Sequence, residues 1–387
     1  MFSNLSETIN NIPIDYHAAD ITLPFTQYIE KNRLLIAERR MDFPQNLANR
    51  ELIINANSPY ELLPTTTQSP PRIGALLIHG LLDSPYSLRD IGSQLQQQGI
   101  LCRSILLPGH GTVPSDLINI SYHDWIQAVR YGVESLRKDV DQVYLVGYST
   151  GATLSVYQAL HDKQIAGIIL LSPAIKIRAP IDFVVNWQQL SRLFSRNKEW
   201  LCREVENDYT KYQSIPFNAA AQVSKLTIVI REILEQRTLQ TPIFVVMSRE
   251  DETVSSHRAI DFFSSLHNNE SKMLVYSSLD HAYPDPRIIT RVTHYPDLSI
   301  KHFSHVSIPF SPNNTHYGQH GDFAYASNIS HKNVVYGAYN YVERKIGNSL
   351  RYLKLRKNEL RELTYNPDFE YMINQISRFI FADNKST

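Results

Sequence analysis

Short, uniformly apolar runs recur along the middle of the chain, and longer stretches of mixed polarity separate them. The runs at 75–79, 102–107, 142–147, 165–171, 242–247 and 272–276 are rich in Ile, Leu and Val. A strand covered on both faces is apolar throughout rather than at every second position, so these runs predict buried parallel strands. Between them, helical spacing of apolar residues predicts helices over 85–98, 122–137, 149–161 and 255–266. The alternation from residue 75 to about 281 predicts an α/β architecture with a mostly parallel sheet flanked by helices.

Three stretches fall outside this alternation. Residues 1–71 hold a charged helix candidate at 25–40 and a Pro- and Thr-rich run at 63–72, and read as an N-terminal flank to a core at 72–330. Residues 175–240 interrupt the core with helix-favouring residues and the aromatics Phe183, Trp187, Phe194 and Trp200, which predicts a helical lid inserted between two strands. Beyond about 284, an irregular segment rich in His, Tyr, Ser and Asn runs to His331. Helical patterns from 333 to about 381 then predict a C-terminal helical extension over 331–387.

Composition leaves this picture intact and narrows the partners. Hydrophobic residues make up 43% of the chain and charged residues 20%, as in an ordinary folded enzyme. Lys plus Arg and Asp plus Glu both number 38, so no net field gathers nucleic acid or an anionic membrane surface. Cys102 and Cys202 stand far apart and read as free thiols of a reducing compartment. Residues 1–20 lack a basic segment followed by an apolar one, and no run of eighteen apolar residues occurs. The expectation is a cytoplasmic protein with no integral membrane segment, export by a non-classical route remaining open. The histidines lack metal-ligand spacing, so neither a metal nor another cofactor is expected.

The candidate chemistry begins at Gly147-Tyr148-Ser149-Thr150-Gly151. A Gly-X-Ser-X-Gly pentapeptide arises often by chance, but here it lies between a predicted strand and a predicted helix. A sharp strand-to-helix turn demands small residues at 147 and 151 and exposes the serine at the sheet edge, beside a helix N-terminus that favours an oxyanion. The alternative is a serine N-cap on an ordinary βα turn. A second element, His79-Gly80-Leu81-Leu82-Asp83-Ser84, follows the first core strand. An oxyanion hole needs two rigid backbone donors, one after the nucleophile and one from such a loop, which makes Thr150 and Leu81 the candidates. Alternatively His79-Gly80 is only a strand-ending turn.

Together with Leu107-Pro108-Gly109-His110-Gly111, these motifs resemble, in content and order, the monoacylglycerol lipase and carboxylesterase branch of the α/β-hydrolases. The resemblance covers about 72–283 and extends more weakly to Tyr212-Gln213-Ser214-Ile215-Pro216. It implies an α/β-hydrolase fold and a serine hydrolase acting on carboxylic esters. His110, within the family loop motif, reads as shaping the loop.

A serine hydroxyl needs a histidine base, and the histidine needs a carboxylate to orient it, in the chain order Ser, acid, His. By family pattern the acid is Asp251 in Ser248-Arg249-Glu250-Asp251-Glu252-Thr253-Val254, with Glu250 and Glu252 read as solvated loop charges and a one-residue shift left open. By family spacing the base is His281 in Ser277-Ser278-Leu279-Asp280-His281-Ala282, although Asp280 replaces the usual glycine. His305 is the chief alternative, should the segment after 284 fold over the site. The expected function is hydrolysis of acyl-glycerol or similar small-molecule or lipid esters through an acyl-enzyme. Lysophospholipase, thioesterase or peptidase action on the same site, or a catalytically silent binding protein, are the alternatives.

Overall fold

The computed structural model describes residues 21–40, 47–65, 72–175, 199–323, 335–337 and 360–382. The chain enters through helices α1 (Phe25–Arg39) and α2 (Leu47–Asn57) and strand β1 (Tyr60–Leu62). Strands and helices then alternate: β2 (Ile73–Ile78), α3 (Arg89–Gln97), β3 (Leu101–Ile105), α4 (Tyr122–Arg137), β4 (Gln142–Tyr148), α5 (Thr150–His161) and β5 (Ile165–Leu171). Beyond β5 come β6 (Trp200–Cys202), β7 (Ile215–Pro216), α6 (Phe217–Gln236), β8 (Ile243–Ser248), α7 (Ser256–Ser264), β9 (Lys272–Ser277) and β10 (Ile288–Val292). Two short strands, β11 (Val335–Gly337) and β12 (Leu360–Glu362), precede the last helix, α8 (Phe369–Ile380).

All six expected strands and all four expected helices form, the 85–98 helix opening with a 3-10 turn at Pro85–Leu88. The sheet order is β1-β3-β2-β4-β5-β8-β9-β10. Only β1, on one edge, runs antiparallel to its neighbour. Each central strand is buried along its length, yet its side chains divide between two cores as the pleat requires. In β2, Leu76 and Ile78 face the layer of α4, α5 and α6, while Ala75 and Leu77 face the layer of α3 and α8. Both faces are therefore roofed by helices, which is why these strands read as continuous apolar runs.

Helix α8 presents Phe369, Met372, Ile373, Ile376 and Ile380 to the second core, the spacing of one helical stripe. At the other end of the chain, Phe25 and Tyr28 of α1 enter the first core, and the Tyr28 hydroxyl bonds both the carbonyl (3.1 Å) and the N–H (3.2 Å) of Leu106. Between β5 and β8, Phe183, Trp187 and Phe194 lie outside the described residues, whereas β6 and β7 pair antiparallel and α6 packs on α5. Because β2, β3, β4, β8 and β10 are parallel, the loops after them gather at one edge of the sheet, where α/β proteins build their sites.

Candidate active site

At the end of β4 the chain reverses into α5 through Ser149, whose φ of 54° and ψ of −111° lie where side-chain-bearing residues are strained. The strain is imposed by crowding on both sides. A Cβ on Gly147 would lie 2.3 Å from the Gly151 carbonyl oxygen, and one on Gly151 would lie 2.0 Å from that of Ile78. The turn is held by Ser149 N–H to the Leu171 carbonyl at 2.9 Å, and by Ala152, Thr153 and Ala174 N–H donating to the Ser149 carbonyl.

The loop after β2 lies against this turn, since a Cβ on Gly80 would come within 3.3 Å of the Ser149 Cβ. Leu81 follows directly, and Thr150 opens α5, so its N–H has no carbonyl a turn earlier in the helix to bond. Two buried histidines brace the loop. Leu107 N–H donates to His79 Nε2 at 3.0 Å, which leaves the proton on Nδ1 to bond the Gly80 carbonyl at 2.8 Å. Likewise Leu82 N–H donates to His110 Nε2 at 3.1 Å, and His110 Nδ1 faces the carbonyls of Leu107 and Pro108. The His110 bond holds Leu82 at a φ of 65°. Burial, then the neighbouring His110, keeps the His79 pKa well below the usual imidazole range. Burial lowers that of His110 to about 4. Both rings are therefore neutral struts.

Asp251 lies in the loop after β8, fully buried. Its Oδ1 accepts the N–H groups of Thr253 (2.9 Å) and Val254 (2.8 Å), which fixes the carboxylate and leaves Oδ2 free to accept from the His305 Nδ1–H at 2.7 Å. With that proton on Nδ1, His305 Nε2 accepts from the Ser149 hydroxyl at 3.1 Å. The loop carrying His305 is pinned by Phe303, which packs on Tyr276 with ring centroids 4.7 Å apart. The Ser248 hydroxyl donates to the Phe303 carbonyl at 2.8 Å, and the Tyr148 hydroxyl to the His305 carbonyl at 3.4 Å.

The pairing expected of His281 is thus made by His305, and topology explains the correction. After β9 the chain must return to the opposite edge of the sheet within residues 278–287, because β10 lies parallel to β9 with Ile288 opposite Met273. That return carries His281 along the outside, where it is exposed, stacked edge-on against Tyr283 and bonded through its carbonyl to the Thr290 hydroxyl. The chain reaches the functional edge again only after Val292. Glu250 and Glu252 also differ from the solvated charges expected. Glu250 accepts from the N–H and hydroxyl of Ser278, and the Glu252 carboxyl oxygens lie 3.3 and 3.2 Å from the His305 N–H. A signal for His305 existed in Phe303-Ser304-His305-Val306-Ser307-Ile308, where a histidine flanked by small hydroxyls and apolar residues fits a tightly packed loop.

The family model described as serine aminopeptidase, S33, matches residues 69–284, a span that holds Ser149, Asp251 and His281 and ends before His305. The chain is 26% identical over 226 residues to a thermostable monoacylglycerol lipase of Bacillus sp. (strain H-257), covering 57% of this chain and 88% of the relative. It is 21% identical over 207 residues to a carboxylesterase of Bacillus subtilis (strain 168), covering 53% and 83% respectively. A solved structure from work on the metagenome-derived lipolytic enzymes LipS and LipT aligns with a TM-score of 0.49 and 22% identity, over 57% of this chain and 86% of its own. With more than half of its residues matched by the family model, the chain belongs to the serine aminopeptidase S33 family, serine hydrolases of the α/β-hydrolase fold.

Proposed function

We propose that this protein hydrolyses carboxylic esters, of acyl-glycerol or similar acyl-chain type, through an acyl-enzyme on Ser149. The observation that carries the reading is the unbroken run from the Ser149 hydroxyl through His305 to Asp251, at 3.1 and 2.7 Å. In this scheme His305 Nε2 takes the hydroxyl proton as Ser149 Oγ attacks the ester carbonyl, and Asp251 stabilises the imidazolium that forms. The Leu81 and Thr150 N–H groups receive the developing oxyanion. His305 then protonates the leaving alkoxide, and a water deprotonated by the same nitrogen releases the acid. The ester class is supported by relatives that are themselves named a monoacylglycerol lipase and a carboxylesterase. Lysophospholipase or thioesterase action would employ the same atoms, and turnover on a panel of esters and thioesters separates them.

A fluorophosphonate probe tests the nucleophile: wild type is expected to label and Ser149→Ala is not, whereas a folded wild type that resists the probe would sink the reading. The base is tested by hydrolysis. His305→Ala is expected to lose about 10⁴-fold in kcat and His281→Ala to stay within a few fold. The reverse ranking would return the base to His281.

A further inference from the structure

We propose that Glu252 is a positioning residue for the base, its carboxyl group clamping the His305 backbone and thereby holding the imidazole between Ser149 and Asp251. The inference rests on the roles proposed above for Ser149 and His305.

His305 has no strand ladder or helix to fix it. The chain leaves β10 at Val292 and travels to residue 305 through the short 3-10 turn Pro296–Leu298 and isolated bridges from Ile300 to Tyr295 and Tyr336, none of which includes residue 305. Its place is therefore set by individual tethers, and most of these act on its neighbours: Ser248 on the Phe303 carbonyl, and Ser304 on the Leu363 carbonyl. On His305 itself the Tyr148 hydroxyl reaches the carbonyl at 3.4 Å, the outer limit of a useful bond. The N–H is the stronger handle, with both Glu252 oxygens within 3.3 Å of it.

The arrangement grips one residue at two ends from one loop. Asp251 holds the ring through Nδ1, and the next residue, Glu252, holds the backbone. Two fixed points leave little freedom at χ1, and it is χ1 that swings Nε2 towards or away from the Ser149 hydroxyl.

The clamp does not depend on a negative charge. Facing Glu252 are Asp251 on its own loop, Glu362 of β12, His305 of the base loop and Tyr148 of β4. Burial first, and then the Asp251 and Glu362 carboxylates, hold the Glu252 carboxyl well above the usual carboxylate range, which favours its neutral form. A neutral carboxyl still offers its carbonyl oxygen to the His305 N–H. The glutamine side chain offers the same oxygen at the same reach, whereas aspartate is one methylene shorter.

The experiment compares wild type with Glu252→Ala, Glu252→Gln and Glu252→Asp in the full chain, using p-nitrophenyl butyrate turnover across pH and the rate of fluorophosphonate labelling. Removing one anchoring hydrogen bond should lower kcat of Glu252→Ala about 10- to 100-fold and slow labelling in step, with KM within about 3-fold. Glu252→Gln should hold kcat within about 3-fold of wild type and leave the acid limb of the pH profile in place. Wild-type kcat in Glu252→Ala overturns the proposal, as does a Glu252→Gln impaired as deeply as the alanine variant. If Glu252→Ala fails to fold, Glu252→Asp carries the test: impaired kcat beside an active Glu252→Gln supports the clamp, and wild-type kcat overturns it. A wild type that neither turns over the ester nor labels overturns the serine-hydrolase chemistry instead, before any variant is compared.

Discussion

His79 and His110 engage both of their ring nitrogens with the backbone, and this makes the loop beside Ser149 sensitive to acid. For His110 the unfolded chain titrates near pH 6.5 and the folded chain near 4, so between those values the unfolded state binds more protons. The stabilisation from keeping this ring neutral is complete above about pH 6.5 and is lost as pH falls towards 4, an effect of about 3 kcal/mol. Asp83 in the same loop opposes it in part, because burial raises its carboxyl to about 6 and the folded state then binds more protons between about pH 4 and 6. We expect the urea midpoint to fall between pH 7 and pH 5 in wild type, and to fall less in His110→Gln; an unchanged pH dependence in the variant would refute the strut. At this scale Ser149 was legible because its demands are local: small residues at 147 and 151 and a strand and helix on either side. The choice between His281 and His305 was not, because it depends on which direction the chain takes after β9.

That direction is a property of elements. Strands β2, β3, β4, β5, β8 and β9 were readable because helices cover both faces and force a continuous apolar run. Strand β10 escaped because it is an edge strand with only Ile288 buried and with Arg291 paired to Asp368. Half-covered strands of this kind carry no uniform pattern, and this one shifted the histidine that meets Asp251 and Ser149 by a whole loop. Helix α8 is the clearer case of packing stronger than its position near the end of the chain suggests. Its Ile376 is fully buried, Tyr144 donates to the Ile380 carbonyl at 3.1 Å, and Phe379 packs against Phe244. Ile376→Ala should therefore cost about 2–5 kcal/mol of stability, read as a lowered denaturation midpoint with unchanged slope. A variant as stable as wild type would mean that α8 does not seal this face.

At the scale of the whole molecule, the stretch recognisable by family and the stretch that brings Ser149, His305 and Asp251 together do not coincide. The matched residues end at 284, yet both His305 and α8, which with α3 roofs one side of the sheet, come later. A chain ended at residue 284 is expected to expose the apolar side chains of the second core, to unfold without a sharp transition and to show no esterase activity. Retained activity in such a fragment would restore His281 as the base. The Ser149 to His305 contact spans 156 residues, and this long reach has a consequence for how the protein comes into being. Ser149 and Asp251 emerge from the ribosome well before His305, and closing so long a loop is slow compared with the local steps that form each strand and helix. Under the proposed chemistry, a growing chain would therefore stay inert until the segment carrying His305 has docked against Asp251 and Ser149.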